Sequence, residues 1–219
     1  MGFSRSLKKR KKSLGIYYNM KKIILATRNK GKVHEIMDKL KNYPIEITYL
    51  KDYPEIKEIE ENGKTYQENA IIKSKTVSNI TGLPALADDS GLEIDYLNGN
   101  PGIRSSRWGS SDSERINKII KLLKNTTVEQ RNARFVSVMC LFVSNNKYFS
   151  SGICSGKITL SPKGSHGFGY DPIFVPNGYE RTFAELGNNI KNKISHRAIA
   201  LEKIVKIIIY FIKKNNYAT

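Results

Sequence analysis

The feature that most constrains the fold is an early succession of strand, loop, helix and strand. Residues 22–26 form a short β-rich run, and a helical spacing then places Val33 and Ile36 on one face. A second strand is predicted over residues 45–50. Strands that alternate with helices in this way are typical of α/β proteins. The sequence therefore predicts an α/β fold.

Helix-start signals predict three further helices. Thr65 and Glu68 have the spacing of a capping box, so we expect a helix over residues 66–82. Residues 111–114 repeat this pattern before a second amphipathic segment. A last helix is expected to begin after Ser195, because the apolar residues that follow it keep helical spacing.

Strands are predicted between these helices. A short apolar strand over residues 83–87 ends at a pair of acids, and the Asn-Gly sequence at residues 98–99 predicts the turn of a hairpin. Two longer strands, over residues 134–143 and 147–154, flank a predicted turn at Asn145–Asn146.

The length and composition exclude several classes of protein. The chain has 219 residues, enough for one large domain, and 39% of them are apolar, which is too many for a disordered protein. Its longest apolar run, residues 204–212, is shorter than the ~20 residues of a membrane-spanning helix. Cys140 and Cys154 have neither a disulfide-framework pattern nor a metal-binding pattern. We expect a soluble cytoplasmic protein whose main domain spans residues 21–219.

Residues 1–20 form a basic extension without acidic residues. The extension lacks the apolar segment of a secretory signal, and we expect a solvated, disordered tail. Nuclear or organellar targeting and nucleic-acid binding are the alternatives. Its basic residues are Arg5, Lys8, Lys9, Arg10, Lys11 and Lys12. The whole chain carries a net charge of +17, which suits a polyanionic partner, either nucleic acid or a nucleotide.

A polar loop joins the first predicted strand to the first predicted helix. Backbone N–H groups at a helix N-terminus lack partners and attract anions, and glycine lets a ligand approach closely. The loop consists of Thr27, Arg28, Asn29, Lys30, Gly31 and Lys32. Its basic side chains favour phosphate binding, but it lacks the GxxxxGK[ST] pattern, and an ordinary turn between strand and helix is the alternative.

Two adjacent acids follow the strand predicted over residues 83–87. Asp88 and Asp89 would be unfavourable beside an apolar run unless they were solvated, paired or bound to a metal ion. Alternation along a strand points them to opposite faces, so they need not share a role, and one of them can meet Mg²⁺. The alternative is a surface turn closed by Gly91.

Charged residues also flank the helix predicted over residues 66–82. Glu58, Glu60 and Glu61 precede it and could supply a further metal ligand, while Lys73 on the helix could reach a phosphate. A solvated surface is the alternative for all four side chains.

A glycine-rich segment, residues 164–172, is difficult to explain by structure alone. Glycines on both sides of Phe168 would let a flat base stack on its ring, and Asp171 could accept a hydrogen bond from a ribose or a base. Packing of Phe168 in the core is the alternative. Further along, His196 and Arg197 could donate to a carbonyl group of a base, although such a pair is usually a surface feature.

Taken together, these segments resemble the inosine triphosphate pyrophosphatase family over residues 21–213. Each motif alone is weak, but six of them in the family's order are very specific. In this sequence they are Leu25-Ala26-Thr27-Arg28-Asn29-Lys30-Gly31-Lys32, Glu68-Asn69-Ala70, Ala87-Asp88-Asp89-Ser90-Gly91-Leu92, Pro101-Gly102, Gly167-Phe168-Gly169-Tyr170-Asp171-Pro172-Ile173-Phe174 and Ser195-His196-Arg197.

The resemblance implies a fold and an activity. The fold would be an elongated mixed β-sheet flanked by helices, with two lobes around a nucleotide-binding cleft, in a homodimer. The activity would be Mg²⁺-dependent hydrolysis of ITP, dITP and XTP to the monophosphate and pyrophosphate, with Mn²⁺ as a substitute cofactor. No stable nucleic-acid partner and no membrane association are expected.

The resemblance also implies the roles of particular residues. Asp89 would be the general base and a metal ligand, with Glu61 as the second metal ligand. The substrate-binding residues would be Thr27, Arg28, Asn29, Lys30, Gly31, Lys32, Lys73, Ser90, Phe168, Gly169, Tyr170, Asp171, Lys191, His196 and Arg197.

The sequence departs from the family pattern at two places. Arg28 stands where many members have glycine, which adds charge beside the phosphate loop. Near the last helix, either Lys191 or Lys193 could face the base, and the spacing to His196 favours Lys191.

Two other functions are alternatives. A related phosphohydrolase could act on modified pyrimidine nucleotides, and base preference would separate the two enzymes. A basic nucleic-acid-binding protein would show steep salt dependence and no metal requirement. This last function leaves the two adjacent acids unexplained, because carboxylates repel phosphate unless a metal ion intervenes.

Overall fold

Six strands form one mixed sheet. The computed structural model describes residues 20–213, in which the strands are β1 (Lys22–Leu25), β2 (Glu46–Tyr49), β3 (Ala85–Ile94), β4 (Asn132–Val143), β5 (Asn146–Ile158) and β6 (Phe174–Pro176). Their order across the sheet is β2-β1-β3-β4-β5-β6. β1 is parallel to both of its neighbours, and the pairs from β3 to β6 are antiparallel. The predicted α/β class and the mixed sheet are confirmed.

Helices cover both faces of this sheet. They are α1 (Lys30–Leu40), α2 (Tyr66–Thr81), α3 (Asp112–Leu123), α4 (Phe183–Leu186), α5 (Asn188–Ile194) and α6 (His196–Lys213). On one face, α6 packs against β4 and β5, and on the other, α2 packs against β3 and β4. Two 3₁₀ turns, Gly102–Arg107 and Asp171–Ile173, contribute to the site described below.

The buried side chains form two lobes that share the long strands β3, β4 and β5. One lobe surrounds β1, with α1 and α6 on one face and α2 on the other. The other lobe holds Leu92, Phe135 and Phe174 beneath α3 and α4, and the two phenylalanine rings meet edge to face with centroids 4.7 Å apart. Because β3 begins in one lobe and ends in the other, its middle residues lie between them. The predicted two-lobed architecture is confirmed.

Three predicted helix starts are confirmed by their capping hydrogen bonds. The side-chain oxygens of Thr65, Ser111 and Ser195 each accept a hydrogen bond from the backbone N–H three residues later, at 3.1, 3.2 and 3.1 Å. Gly82 ends α2 with a φ of 70°, a conformation that glycine adopts without strain. The sequence therefore locates α2, α3 and α6 to within a residue at their N-termini.

The prediction that a strand ends at the two acids is wrong. β3 continues through Asp88 and Asp89 as far as Ile94, because both carboxylates are paired inside the protein and do not need solvent. The alternative interpretation, a surface turn closed by Gly91, is excluded for the same reason. Gly91 lies within β3, where an added Cβ would be only 2.1 Å from the carbonyl oxygen of Gly102.

Two turns also differ from the predictions. The hairpin predicted at residues 98–99 is wrong, because a 3₁₀ turn at Asp95–Leu97 follows β3 and the returning chain makes only an isolated bridge between Glu93 and Pro101. The turn between β4 and β5 is one residue earlier than predicted. It is formed by residues 144–145, which both have positive φ, as a two-residue hairpin turn requires.

The predicted basic extension, residues 1–20, lies outside the described residues except for Met20. The Met20 side chain is 1% exposed and packs in the core beside α1 and α6. Between residues 20 and 213, no helix has both the length and the apolar character that crossing a membrane requires.

Candidate active site

The two lobes enclose a cleft with a volume of about 650 Å³. It is lined by fifteen of the residues predicted for the site: Thr27, Arg28, Asn29, Lys32, Glu61, Lys73, Asp89, Ser90, Phe168, Gly169, Tyr170, Asp171, Lys191, His196 and Arg197. The two predicted residues that do not line it are Lys30, which is exposed, and Gly31, which packs against Phe168. The structure thus brings together segments that are far apart in the chain.

The loop between β1 and α1 presents the N-terminus of α1 to the cleft. Asn29 caps this helix by accepting a hydrogen bond from the backbone N–H of Lys32 at 3.1 Å, and Thr27 Oγ1 accepts one from the Asn29 N–H at 3.1 Å. The Arg28 guanidinium donates to the carbonyl oxygen of Ile56 at 2.5 Å. The loop is therefore ordered by its own side chains, with the positive end of the helix dipole facing the cleft.

Gly31 connects this loop to the aromatic segment on the other lobe. A Cβ at position 31 would lie 2.4 Å from Cδ1 of the Phe168 ring, which is a severe overlap. Only glycine leaves room for the ring at this point of α1. The glycine of the phosphate loop thus has a packing role that the sequence analysis did not anticipate.

Asp88 is buried at the centre of a group of cations and hydroxyl groups. Its carboxylate lies 2.9 Å from Lys32 Nζ and 3.2 Å from Arg197 Nε. It also accepts hydrogen bonds from Ser137 Oγ at 2.5 Å and Ser90 Oγ at 3.0 Å. Burial alone would raise the pKa of Asp88, but the charges of Lys32 and Arg197 outweigh it and hold that pKa well below its usual value.

Asp89 points to the opposite face of β3 and has a different environment. Its carboxylate lies 3.0 Å from Lys73 Nζ and accepts a hydrogen bond from Asn69 Nδ2 at 3.2 Å. Burial raises the pKa of Asp89, against the opposing charge of Lys73. A carboxylate with a raised pKa is better matched to accepting a proton near neutral pH than an ordinary one.

Glu61 and Asp89 converge on one cation. Lys73 Nζ lies 3.4 Å from Glu61 Oε2 and, as noted above, close to Asp89. The backbone beside Glu61 is held by Arg107, whose two Nη atoms both donate to the Glu61 carbonyl oxygen at 3.2 Å. Two carboxylates at one cation position are a suitable donor set for Mg²⁺, which completes its shell with phosphate oxygens and water. In the part of the chain that the structure describes, no three His, Cys, Asp or Glu side chains are grouped for metal binding.

At the other end of the cleft, Phe168 lies beneath two cations. Lys191 Nζ is 4.3 Å and Arg197 Cζ is 5.6 Å from the centroid of its ring. Asp171 Oδ2 lies 2.5 Å from Lys191 Nζ and accepts a hydrogen bond from Phe168 N at 2.9 Å. Lys191 is 2% exposed, whereas Lys193 is exposed and faces away. Of the two lysines, Lys191 is therefore the one that lines the cleft.

Glu35 is a mostly buried acid that sequence reasoning missed, with a side chain that is 10% exposed. It lies 2.8 Å from Lys191 Nζ and also pairs with the guanidinium of Arg197. Burial would raise the pKa of Glu35, but the charges of Arg197 and Lys191 outweigh it and lower that pKa. The one available signal was its position on α1 four residues after Gly31, which places both on the same face of the helix.

His196, the first residue of α6, is held as a neutral imidazole. It stacks on Phe135 with ring centroids 4.7 Å apart, and its Nδ1 has no hydrogen-bond partner among the described residues. Burial, together with the charge of Arg197, holds the pKa of His196 well below its usual value. A buried polar atom without a partner at the wall of a cleft is available to a ligand.

Three further residues, which the sequence analysis did not assign to the site, make contacts in or beside the cleft. Asn69 belongs to a quoted motif, but only the structure shows its hydrogen bond to Asp89. Asp112 and Arg115 at the start of α3 also line the cleft, and Asp112 accepts a hydrogen bond from Gly169 N at 2.7 Å. Their partners lie far away in sequence, so spacing alone could not identify them.

The cleft is suited to an anionic ligand that carries a flat ring, because cations and paired carboxylates line one part of it and the half-buried ring of Phe168 lines another. The model of the Ham1 family matches residues 23–207. The chain therefore belongs to the Ham1 family, and the family resemblance predicted from the motifs is confirmed.

Relatives with similar sequences are named as pyrophosphatases. The chain is 45% identical over 186 residues to the dITP/XTP pyrophosphatase of Geobacter sulfurreducens, a match that covers 83% of this chain and 94% of the relative. It is 41% identical over 193 residues to the dITP/XTP pyrophosphatase of Bacillus licheniformis, covering 86% and 98%. Each match spans almost the whole length of the relative.

Solved structures have the same fold. A HAM1 protein from Coxiella burnetii superposes with a TM-score of 0.79 at 40% identity, covering 87% of this chain and all of that one. A nucleoside-triphosphatase, also named dITP/XTP pyrophosphatase, from Mycobacterium abscessus gives a TM-score of 0.68 at 39% identity, covering 84% and 98%. The mixed sheet and its flanking helices are therefore those of the family.

Proposed function

We propose that this chain hydrolyses non-standard purine nucleoside triphosphates, namely ITP, dITP and XTP, to the monophosphate and pyrophosphate. The observation that carries the proposal is the order of groups along one cleft. Asp89, Glu61 and Lys73 form one group in the cleft, and Phe168 and Lys191 form another. The N-terminus of α1 lies between the two groups, with Lys32 against Asp88 and Gly31 against Phe168. A nucleoside triphosphate has the matching order of charged phosphates and flat base. The names of the similar relatives support the same activity.

In this proposal Asp89 is the general base. Its carboxylate accepts a proton from a water molecule as the water oxygen bonds to the α-phosphorus, and the bond from that phosphorus to the bridging oxygen breaks. Pyrophosphate then leaves, and the nucleoside monophosphate remains. The raised pKa of Asp89, caused by burial, favours this proton transfer. Lys73 Nζ, 3.0 Å away, keeps the carboxylate directed into the cleft.

Mg²⁺ is the proposed cofactor, with Mn²⁺ as a substitute. Asp89 and Glu61 would hold the ion, because both already direct an oxygen toward the position of the Lys73 ammonium. When bound, the ion would neutralise phosphate charge and orient the triphosphate. Lys32 and the N-terminus of α1 would bind phosphate oxygens from the other side.

The base end is suited to a ring with an oxygen at position 6. Lys191 uses two of its three N–H groups on Asp171 and Glu35, which leaves one to donate to a ligand. A donor aimed at position 6 accepts hypoxanthine and xanthine, which carry a carbonyl oxygen there. It rejects adenine, whose amino group is itself a donor. Phe168 would supply a stacking surface that every base can use.

The test is pyrophosphate release from ITP, XTP, GTP, ATP and dUTP, measured side by side with and without Mg²⁺. We expect fast, Mg²⁺-dependent release from ITP and XTP. Release should be slow from ATP, which lacks the 6-oxygen, and from GTP, whose 2-amino group would have to be rejected by steric overlap or for want of a hydrogen-bond partner. Preferential hydrolysis of dUTP would instead support a pyrimidine nucleotide phosphohydrolase. Release of orthophosphate, or equal rates on all five nucleotides, would contradict the proposal.

We further propose that the protein is a cytoplasmic homodimer. The support for this proposal is membership of the Ham1 family, because the resemblance stated above implies a homodimer. Sedimentation equilibrium of the full chain tests the oligomeric state: a mass near twice the 24.9 kDa of the chain is expected, and a monomer mass at micromolar concentration would contradict it.

A further inference from the structure

We propose that Asp112 is a positioning residue for the base end of the cleft, because its carboxylate holds the Phe168–Tyr170 segment in the orientation that a bound base requires. The role given to Asp112 rests on the proposed function. The contacts from which it is inferred do not depend on that function. Asp112 is the first residue of α3 and lines the cleft, although it belongs to none of the sequence motifs.

The main support for the role of Asp112 is a hydrogen bond between two segments that are distant in sequence. Asp112 Oδ2 accepts from the backbone N–H of Gly169 at 2.7 Å, across 57 positions of sequence. An ionised acceptor makes a shorter and stronger hydrogen bond than a neutral one. The bond fixes the peptide group that links Gly169 to Phe168, the residue whose ring faces the cleft.

Asp112 is the one hydrogen-bond partner of Gly169 itself among the described residues. The φ of Gly169 is +64°, and no atom lies within 4 Å of the position that a Cβ would take. By contrast, the residues on either side are anchored: Phe168 N donates to Asp171 at 2.9 Å, and Tyr170 Oη donates to the carbonyl oxygen of Ser105 at 2.9 Å. Among the described residues, the peptide group between Phe168 and Gly169 therefore makes two hydrogen bonds. One lies within its own turn, from the Asp171 N–H to the Phe168 carbonyl oxygen at 3.3 Å, and the bond to Asp112 is the one that ties it to another segment.

Asp112 is itself oriented for this task. Its second carboxylate oxygen pairs with Arg115, and the Arg115 guanidinium donates to the carbonyl oxygens of Ser106 and Gly109 at 3.0 and 2.9 Å. One oxygen is thus tied to α3 and the turn before it, while the other is directed across to Gly169. Because the Asp112 side chain is 46% exposed, replacing it removes little packing.

The experiment compares Asp112→Ala, Asp112→Asn and the control Glu114→Ala in the full-length protein. Glu114 accepts hydrogen bonds from Ser110 at the same helix start but does not contact the Phe168–Tyr170 segment. For Asp112→Ala we expect KM for ITP to rise about tenfold with kcat little changed, because stacking is lost equally from the ground state and the transition state. Asp112→Asn, which keeps an acceptor oxygen, should restore most of the loss, and Glu114→Ala should leave KM unchanged.

Two further readouts separate positioning from stability and from the proposed function. The amide resonance of Gly169 in ¹H–¹⁵N spectra should move upfield in both Asp112 variants and stay in place in Glu114→Ala. The inhibition constant of inorganic tripolyphosphate, which has no base, should be the same in all four proteins.

Each outcome decides the inference. An unshifted Gly169 amide in Asp112→Asn would overturn it even if Asp112→Ala failed to fold. An unchanged KM in a folded Asp112→Ala variant of a wild type that hydrolyses ITP would also overturn it. A wild type without ITP hydrolysis would instead overturn the proposed function, and the Gly169 resonance would still report whether Asp112 positions the segment.

Discussion

Glu35 at the base end of the cleft and Asp89 at the phosphate end are both paired with a lysine, yet their pKa values shift in opposite directions. At the base end, acids and cations alternate in close contact, with Glu35 placed between Lys191 and Arg197, and their attraction lowers the pKa of Glu35 despite its burial. At the phosphate end, burial prevails over the charge of Lys73 and raises the pKa of Asp89. Asp171, also at the base end, resembles Asp89, because burial raises its pKa against the charge of the single cation Lys191. The contrast therefore depends on how many cations each carboxylate meets.

The comparison is sharpest within β3, where two adjacent aspartates belong to the two environments. Asp88 is surrounded by two cations and two hydroxyl groups, while Asp89, on the opposite face, meets one lysine and one amide. Residues that look alike in sequence can therefore have different environments, which the proposed function assigns to stability for Asp88 and to chemistry for Asp89. The following predictions use this contrast, in order of decreasing expected effect.

Replacing Asp89 should abolish turnover and spare the fold. In Asp89→Asn the amide cannot accept the proton of the attacking water, so we expect kcat for ITP to fall by about a thousandfold or more. The melting temperature should stay close to that of the wild type, because Lys73 keeps Glu61 and the carbonyl oxygen of Asp88 as partners. Wild-type-like pyrophosphate release would remove Asp89 from the mechanism.

Replacing the preceding residue, Asp88, by asparagine should lower the stability of the protein. In Asp88→Asn the charges of Lys32 and Arg197 would remain buried without their central partner, which we expect to lower the free energy of unfolding by about 3 to 5 kcal/mol. Urea denaturation of the two variants in parallel measures the difference. If Asp88→Asn were as stable as Asp89→Asn, the contrast between the two environments would be wrong.

Removing the aromatic face should affect binding more than chemistry. Phe168→Leu keeps an apolar side chain against Gly31 but loses base stacking, and we expect about a tenfold rise in KM for ITP at nearly constant kcat. Steady-state kinetics tests this. A fall in kcat with unchanged KM would mean that Phe168 serves the hydrolysis step and not base binding.

The buried histidine should make stability depend on pH. His196 is neutral in the fold because its pKa is held well below the usual 6.5, whereas the unfolded chain binds a proton at that residue. The free energy of unfolding should therefore decline as pH falls below about 6.5, by up to about 1.4 kcal/mol per pH unit. His196→Asn should remove this slope, and the matched change His166→Asn, at an exposed position, should leave it. A slope that survives in His196→Asn would contradict the assignment.

The smallest effect is expected from the N-terminal extension. Deleting residues 1–19 while keeping Met20, which is buried in the core, should leave kcat/KM for ITP unchanged. All residues assigned to the cleft lie between Ala26 and Arg197, so none is removed. A large fall in kcat/KM would show that the domain boundary is wrong.

Local signals predict much of this fold. The capping residues Thr65, Ser111 and Ser195 locate three helix starts, because capping depends on neighbours within one turn. By contrast, the course of β3 is not predictable from its own residues. Whether Asp88 ends a strand or continues it depends on Lys32 and Arg197, which lie 56 and 109 positions away along the chain.

Some residues of the candidate site are likewise identified from the sequence, and others are not. The motif residues are found because their types and order are specific, and most of them line the cleft. Glu35 and Asp112 are missed because each resembles an ordinary acidic residue on an amphipathic helix, and only the packing of distant segments gives them partners. Positioning residues of this kind leave little signal in a single sequence.

The most direct test of the account is a binding titration of the Asp89→Asn variant with ITP and with ATP in the presence of Mg²⁺. If hydrolysis and base recognition belong to opposite ends of the cleft, the inactive variant will still bind ITP at least about tenfold more tightly than ATP. Equal affinities for the two nucleotides in a folded variant would show that base recognition depends on Asp89, and would contradict the division of the cleft into two ends.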